Sequence, residues 1–106
     1  MYARVTEFDG ERTEEVERDI AYFDSEIRPE AERLPGLAGL LYLVDRGSSR
    51  TLVITLWESQ ENLEESRTVT DTLQSLVSQA MDLRRPPSVH EYDVALAQLD
   101  APTFGQ

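Results

Sequence analysis

Hydrophobic residues recur along the chain in three patterns: at every third or fourth position, at alternate positions, and in nearly unbroken runs. The residues from Tyr2 to Phe8 mix aromatic and β-branched types with polar ones and end at Asp9-Gly10, which predicts a strand and a turn. From Thr13 to Leu34 the apolar residues are three or four positions apart, which predicts an amphipathic helix. Pro29 is expected to end or kink this helix because its ring removes a backbone donor. The predicted apolar face consists of Val16, Ile20, Phe23, Ile27, Ala31 and Leu34.

Two nearly unbroken apolar runs follow, from Leu37 to Val44 and from Thr51 to Trp57, with a turn rich in Gly and Ser between them. Runs of this kind joined by a short turn predict a β-hairpin. Because the runs do not alternate with polar residues, both faces of these strands are expected to be covered.

The C-terminal half contains a second helix and a fourth strand. Ser59 is a favourable N-cap for the helix, which we predict in two pieces broken near Ser66 to Thr70 and stopped by residues 84–87, Arg-Arg-Pro-Pro. The alternation from Val89 to Ala97 predicts a strand with His90 and Tyr92 on one face. The apolar positions of the second helix are Leu63, Val69, Leu73, Leu76, Val77 and Ala80.

The predicted order of elements is β-α-β-β-α-β. It indicates an α+β, ferredoxin-like domain over residues 1–98, with two helices on one face of a four-stranded antiparallel sheet, followed by a C-terminal tail over 99–106. Two helices cover only one face, and the other face of the middle strands is also apolar. The expected solution is a homodimer packed sheet against sheet.

The composition removes several classes of chemistry. Ten basic and 21 acidic residues among 106 give a net charge of -11, which disfavours binding to nucleic acid or to an anionic membrane. All the basic residues are arginine, cysteine is absent, and His90 is the one histidine. A lysine Schiff base, a thiolate nucleophile and a zinc cluster are therefore excluded within one subunit, and no metal site is expected. The N-terminus lacks the pattern of a signal peptide, so we expect a cytoplasmic protein.

Two short motifs carry a resemblance to a known family. The turn Leu34-Pro35-Gly36-Leu37 leads into an apolar strand, and the segment from Thr55 to Leu63, TLWESQENL, joins a strand to a helix. With the order of elements, these motifs resemble the antibiotic biosynthesis monooxygenase (ABM-like) group of dimeric α/β barrels over about residues 2–97. The resemblance implies a homodimer whose sheets enclose a cavity, often for a flat aromatic substrate. Some relatives oxidise such substrates with dioxygen and without a bound metal or flavin, so no cofactor is expected.

The resemblance does not extend to haem degradation. Relatives that degrade haem use an asparagine in the first strand, and a tryptophan and a histidine in the second helix. Here the one asparagine is Asn62, outside the first strand, and Trp57 precedes the second helix. Many ABM-like proteins also carry a histidine shortly after the tryptophan motif, where this chain has Glu64-Glu65-Ser66.

Two residues are candidates for catalysis. His90 is the side chain whose intrinsic acidity suits proton transfer near neutral pH, and it could deprotonate a phenol or enol if its face lines the cavity. The alternative is a partly exposed histidine near a strand end. Arg4 could bind the resulting oxyanion, or it could pair with Glu91 or Asp93 of the fourth strand, and the ion pair is the favoured reading.

Four further residues are candidates for substrate binding. Trp57 could stack on a planar ligand, although packing in the core is the favoured role. Thr6 shares a face of the first strand with Arg4, and Tyr42 and Tyr92 could donate phenol hydrogen bonds. The expected function is therefore cofactor-independent oxidation of a small aromatic or polycyclic molecule. A non-catalytic or stress-associated small-molecule-binding protein is the alternative, and an acidic module that docks on a basic partner is a third possibility.

Overall fold

In the computed structural model of the protein, one antiparallel sheet carries the helices on one of its faces. The structure describes residues 1–9, 16–48, 50–81 and 87–98. Its strands follow the spatial order β2-β3-β1-β4, which confirms the predicted ferredoxin-like fold. The strands are β1 (Tyr2–Asp9), β2 (Leu37–Asp45), β3 (Arg50–Trp57) and β4 (Ser88–Asp93). The helical elements are α1 (Val16–Tyr22), a π-helical turn (Phe23–Ile27), α2 (Arg28–Glu32), α3 (Gln60–Glu65) and α4 (Arg67–Met81). The predicted tail over 99–106 and the predicted helix start at Thr13 lie outside the described residues.

The strand registers assign each side chain to one face of the sheet. Arg4 lies opposite Thr55 on one side and Glu91 on the other, and these residues belong to the face that the helices cover. Val5 lies opposite Ile54 and His90, which belong to the other face. We call this second face the outer face. Its side chains are Ala3, Val5, Glu7, Asp9, Leu41, Leu43, Asp45, Arg50, Leu52, Ile54, Leu56, Ser88, His90 and Tyr92.

The sequence predicted that Pro29 ends or kinks the first helix, and the helical segment continues through Pro29 with an irregular turn just before it. The Arg28 N–H donates to the carbonyl of Phe23, five residues earlier, in a π-helical turn just before the proline. Pro29 has no N–H to offer a regular helical hydrogen bond, and the wider turn lies where that bond would be missing. The predicted apolar face is confirmed, because Val16, Phe23, Ile27 and Ala31 are buried.

The two motifs that carry the family resemblance contact each other. Gly36 has a φ of +78°, and a Cβ added there would overlap the side-chain amide of Asn62. Ser59 is the predicted N-cap of α3, and its Oγ accepts a hydrogen bond of 3.1 Å from the Asn62 backbone N–H. The Glu58 N–H donates to the Gly36 carbonyl at 2.8 Å. The turn before β2 therefore packs against the helix start after β3 and is hydrogen-bonded to it.

Two predictions on the C-terminal half need correction. The fourth strand ends at Asp93 rather than Ala97, because its partner β1 begins at Tyr2 and the last contact is the Val94 N–H to the Met1 carbonyl. The helix break at Ser66 is confirmed, but Val69 and Leu76 are exposed instead of facing the core with Leu73. No helix among the described residues is long and apolar enough to cross a membrane.

Candidate functional site

A cavity lies between the helices and the inner face of the sheet, and we call it the inner cavity. Its free volume is about 50 Å³, which is room for a few water molecules. The walls are predominantly apolar and combine side chains of β1, β2, β3, α4 and the first helical segments. The lining residues are Arg4, Thr6, Phe8, Phe23, Ile27, Ala31, Leu34, Leu40, Val53, Thr55, Trp57, Thr70, Leu73 and Gln74.

Arg4 is buried at the end of this cavity and uses all five of its N–H donors. Its Nε and Nη2 donate to Oε2 of Glu91 at 3.2 and 3.1 Å. Its Nη1 donates to Thr70 at 2.6 Å and to Ser66 at 3.3 Å, and Nη2 also donates to the Leu63 carbonyl at 3.2 Å. A guanidinium has five N–H groups, so none is left for a ligand. The sequence favoured an ion pair of Arg4 with Glu91 or Asp93, and the structure shows the pair with Glu91.

Glu91 links Arg4 to a second arginine at the surface. Arg67 Nη2 donates to Oε1 of Glu91 at 2.6 Å. The hydrogen bond from Arg67, reinforced by the one from Arg4, holds the pKa of Glu91 below its usual value of 4.5. This contact also raises the pKa of Arg67. We call Arg4, Ser66, Arg67, Thr70 and Glu91 the Arg4 cluster.

Trp57 is fully buried at the end of β3 and forms part of the cavity wall. Its indole Nε1 donates to Oγ1 of Thr55 at 3.0 Å, which satisfies its polar atom inside the core. The Arg4 guanidinium carbon lies 6.0 Å from the centroid of the ring. Trp57 therefore packs in the core, as the sequence favoured, and still presents a surface to the inner cavity.

Tyr42 lines a second space, a groove of about 420 Å³ between α1, the π-helical turn and β2. The rings of Tyr42 and Phe23 pack with centroids 4.8 Å apart. Phe23 and Leu40 line both the groove and the inner cavity, so they form the wall between the two spaces.

His90 and Tyr92 lie on the outer face, where their rings are 6.4 Å apart. The inner cavity is on the opposite side of the sheet. Within one chain, His90 and Arg4 therefore cannot act on one substrate as a base and an oxyanion partner, because the backbone of β1 and β4 separates them. The inferred catalytic role of His90 stays a prediction.

The inner cavity offers donors and acceptors rather than acids and bases. Thr6 lines it and carries a hydroxyl that can donate or accept a hydrogen bond, and Gln74 adds an amide. None of the described lining side chains is a histidine, a carboxylic acid, a cysteine or a tyrosine. Among the described residues, no group of three or more potential ligands could hold a metal ion.

Two polar lining residues of α4, Thr70 and Gln74, were not predicted from the sequence. They lie three residues before and one residue after Leu73, which was predicted, so all three share one face of the helix. The apolar pattern pointed to Val69 and Leu76 as well and gave no reason to choose the polar positions beside Leu73. Phe23 was predicted as a core residue, and its position between the two spaces was not predicted.

Comparison with known proteins identifies the fold. No protein-family model and no curated protein sequence matches the chain. Among solved structures, a monooxygenase from the gene ActVA-Orf6 of Streptomyces coelicolor, in complex with Nanaomycin D, superposes with a TM-score of 0.74 at 14% identity. The match covers 94% of this chain and 92% of that one. A protein described as an antibiotic biosynthesis monooxygenase superposes with a TM-score of 0.66 at 17% identity, covering 91% and 100%.

The chain has the antibiotic biosynthesis monooxygenase fold. This result confirms the resemblance of the two short motifs. The same fold occurs in the heme-degrader MhuD of Mycobacterium tuberculosis, which was solved with two hemes in its active site. That match has a TM-score of 0.66 at 18% identity, covering 92% of this chain and 99% of that one. Because the antibiotic biosynthesis monooxygenase fold carries more than one activity, the function must be argued from the site.

Proposed function

We propose that the protein is a monooxygenase that oxidises a small, uncharged aromatic or polycyclic molecule in the inner cavity. The observation that carries the proposal is an apolar cavity against a fully buried tryptophan, in a fold shared with a monooxygenase that binds Nanaomycin D. Apolar walls with a few polar groups are typical of small-molecule sites. The uncharged character follows from Arg4, whose donors are all occupied.

Admission of such a molecule requires the cavity to expand. Ligand pockets usually enclose about 300–1,000 Å³, against about 50 Å³ here. The neighbouring groove of about 420 Å³ is separated from the cavity by Phe23 and Leu40. We propose that displacement of Phe23 joins the two spaces. Phe23 is the first residue of the π-helical turn, where the hydrogen bonding is irregular. The Phe23 side chain is therefore suited to move.

The proposed reaction acts on a molecule of the anthrone type, in which a methylene and a carbonyl each join the same two aromatic rings, and converts the methylene into a second carbonyl. One substrate molecule and one dioxygen give one diketone and one water. One C–H bond is broken by loss of a proton, the carbanion forms a C–O bond with dioxygen, and the other oxygen atom leaves as water with both hydrogens. The substrate supplies all the electrons that reduce dioxygen. Because the described lining residues include no general base, the first proton goes to solvent and the substrate must be acidic itself. The Thr6 hydroxyl can donate to the developing enolate oxygen.

We further propose that two copies of the chain pair through their outer faces. Leu41, Leu43 and Tyr92 are 38%, 43% and 55% exposed on this face. Its carboxylates, Glu7, Asp9 and Asp45, lie at one end of the face beside Arg50, so the middle of the face is apolar and two copies can associate there with little repulsion. In a dimer with two-fold symmetry, both copies contribute the same surface to the contact, and the apolar middle of the outer face can pack against itself.

A non-catalytic binding protein is the second candidate. The absence of a general base among the described lining residues favours it, because the cavity can hold a ligand without promoting proton loss. The two candidates share the cavity and differ in turnover alone.

Oxygen consumption with anthrone as the test substrate separates them. The monooxygenase predicts protein-dependent oxygen uptake, with one anthraquinone formed per dioxygen consumed. Uptake no faster than the protein-free reaction, together with calorimetric binding of the uncharged product, would reject the monooxygenase and support the binding protein. Absence of both turnover and binding would reject both candidates.

A further inference from the structure

Arg4 is the one charged side chain among the described residues that line the inner cavity. Its side chain is only 6% exposed, so its charge is removed from most of the surrounding water. A buried guanidinium with free donors would attract a carboxylate or an enolate. Whether the cavity accepts anions therefore depends on what already neutralises Arg4.

Glu91 supplies that neutralisation. Of the acceptors around Arg4, the Ser66 and Thr70 hydroxyls and the Leu63 carbonyl carry no charge. The Glu91 carboxylate takes two of the five N–H groups and carries the negative charge. Glu91 does not line the cavity itself, and Arg67 holds it from the solvent side. The pair thus leaves the cavity wall close to electrically neutral.

We infer that Glu91 determines ligand specificity by restricting the inner cavity to molecules that are uncharged when they enter it. An anionic ligand would have to displace Glu91 from Arg4, or enter an apolar cavity with its own charge unpaired, and both are costly. Removal of the Glu91 carboxylate would leave Arg4 charged and short of acceptors. The cavity would then accept a carboxylate of the same shape. This inference rests on the proposed ligand site.

Isothermal titration calorimetry with 2-naphthol and 2-naphthoate tests the inference, because the two probes share a ring system and differ in charge at pH 7. Wild-type protein should bind 2-naphthoate about tenfold or more weakly than 2-naphthol. Glu91→Ala should bind 2-naphthoate about tenfold or more tightly than wild type does, with the affinity for 2-naphthol changed by less than about threefold.

Glu65→Ala is the matched control, because it removes one exposed carboxylate and changes the net charge equally. The Glu65 carboxylate accepts none of the five Arg4 hydrogen bonds, and it is exposed to solvent, which screens its charge at about 0.15 M salt. If Glu91→Ala does not fold by circular dichroism, Glu91→Gln keeps the shape and removes the charge, and about a threefold gain for 2-naphthoate is expected.

An unchanged affinity for 2-naphthoate in the folded Glu91 variant overturns the inference, and so does an equal gain in Glu65→Ala. The proposed function fails separately, if wild type does not bind 2-naphthol. A gain for 2-naphthoate in that case would still support the role of Glu91, whereas binding of neither probe by any variant would overturn both.

Discussion

The guanidinium of Arg4 and the carboxylate of Glu91 face each other across neighbouring strands, at one register position of the β1–β4 pair. The same guanidinium donates to Ser66 and Thr70 at the break between α3 and α4. One side chain therefore joins an edge strand to the helical layer. Arg4 is chemically suited to bind an anion. Here all its donors bind groups of the protein, Glu91 neutralises its charge, and the side chain links the sheet to the helices.

We expect Glu91→Gln to lower the free energy of unfolding by about 1–2 kcal/mol at pH 7, because a charge-assisted contact to buried Arg4 becomes a neutral one. The pKa of Glu91 is lowered in the folded state, so its stabilisation is fully present above pH 4.5 and is lost as the pH falls through the folded value. Urea unfolding at a series of pH values measures the difference. A difference that stays constant well below pH 4.5 would contradict this account.

Gly36→Ala should destabilise the protein by more than about 2 kcal/mol, because φ +78° is costly for a residue with a Cβ and that Cβ would overlap Asn62. Gly47→Ala is the control, since a Cβ there lies 3.6 Å from the nearest side-chain atom, in ordinary contact. Thermal unfolding of both variants measures the effect. Similar melting temperatures for the two variants would show that the contact with Asn62 does not restrict the residue at position 36.

Leu43→Glu should dissociate the proposed dimer at micromolar concentration, because it places two carboxylates in a contact related by two-fold symmetry. Leu76→Glu is a control of nearly equal exposure, 41% against 43%, on α4 instead of the outer face. Sedimentation velocity distinguishes the two variants. A monomeric wild type, or loss of the dimer in Leu76→Glu alone, would place the contact elsewhere.

Thr6→Val should weaken binding of 2-naphthol by about 3- to 10-fold, because it removes one hydrogen bond and keeps the shape of the side chain. Thr68→Val, at an exposed position of α4, should leave the affinity unchanged. Calorimetry on both variants gives the comparison, and equal affinities would exclude the Thr6 hydroxyl from ligand recognition.

The element order, the helix break at Ser66 and the pairing of Arg4 with a carboxylate of the fourth strand could be predicted, because periodicity, capping residues and charge are local properties of the sequence. The sequence predicts that His90 and Tyr92 point to the same face of β4, but it does not show which face of the sheet this is. Whether that face meets the helices depends on the register of β4 against β1, which places Val5 opposite His90 and Arg4 opposite Glu91.

The location of the cavity could not be predicted for a related reason. The sequence places apolar residues on both faces of β3 and does not distinguish a space under the helices from one between two sheets. The π-helical turn at Phe23 is also a response to Pro29 that apolar spacing does not reveal, and it forms the wall between the inner cavity and the groove.

Val53 and Ile54 are neighbours on β3 that point to opposite faces, Val53 into the inner cavity and Ile54 onto the outer face. The affinity for 2-naphthol of Val53→Phe and of Ile54→Phe, measured by calorimetry on folded protein, tests most directly where the ligand binds. Our account predicts that Val53→Phe fills the cavity and weakens binding by about tenfold or more, while Ile54→Phe stays within about threefold of wild type. Loss of binding in Ile54→Phe with retention in Val53→Phe would contradict the account and move the site to the outer face.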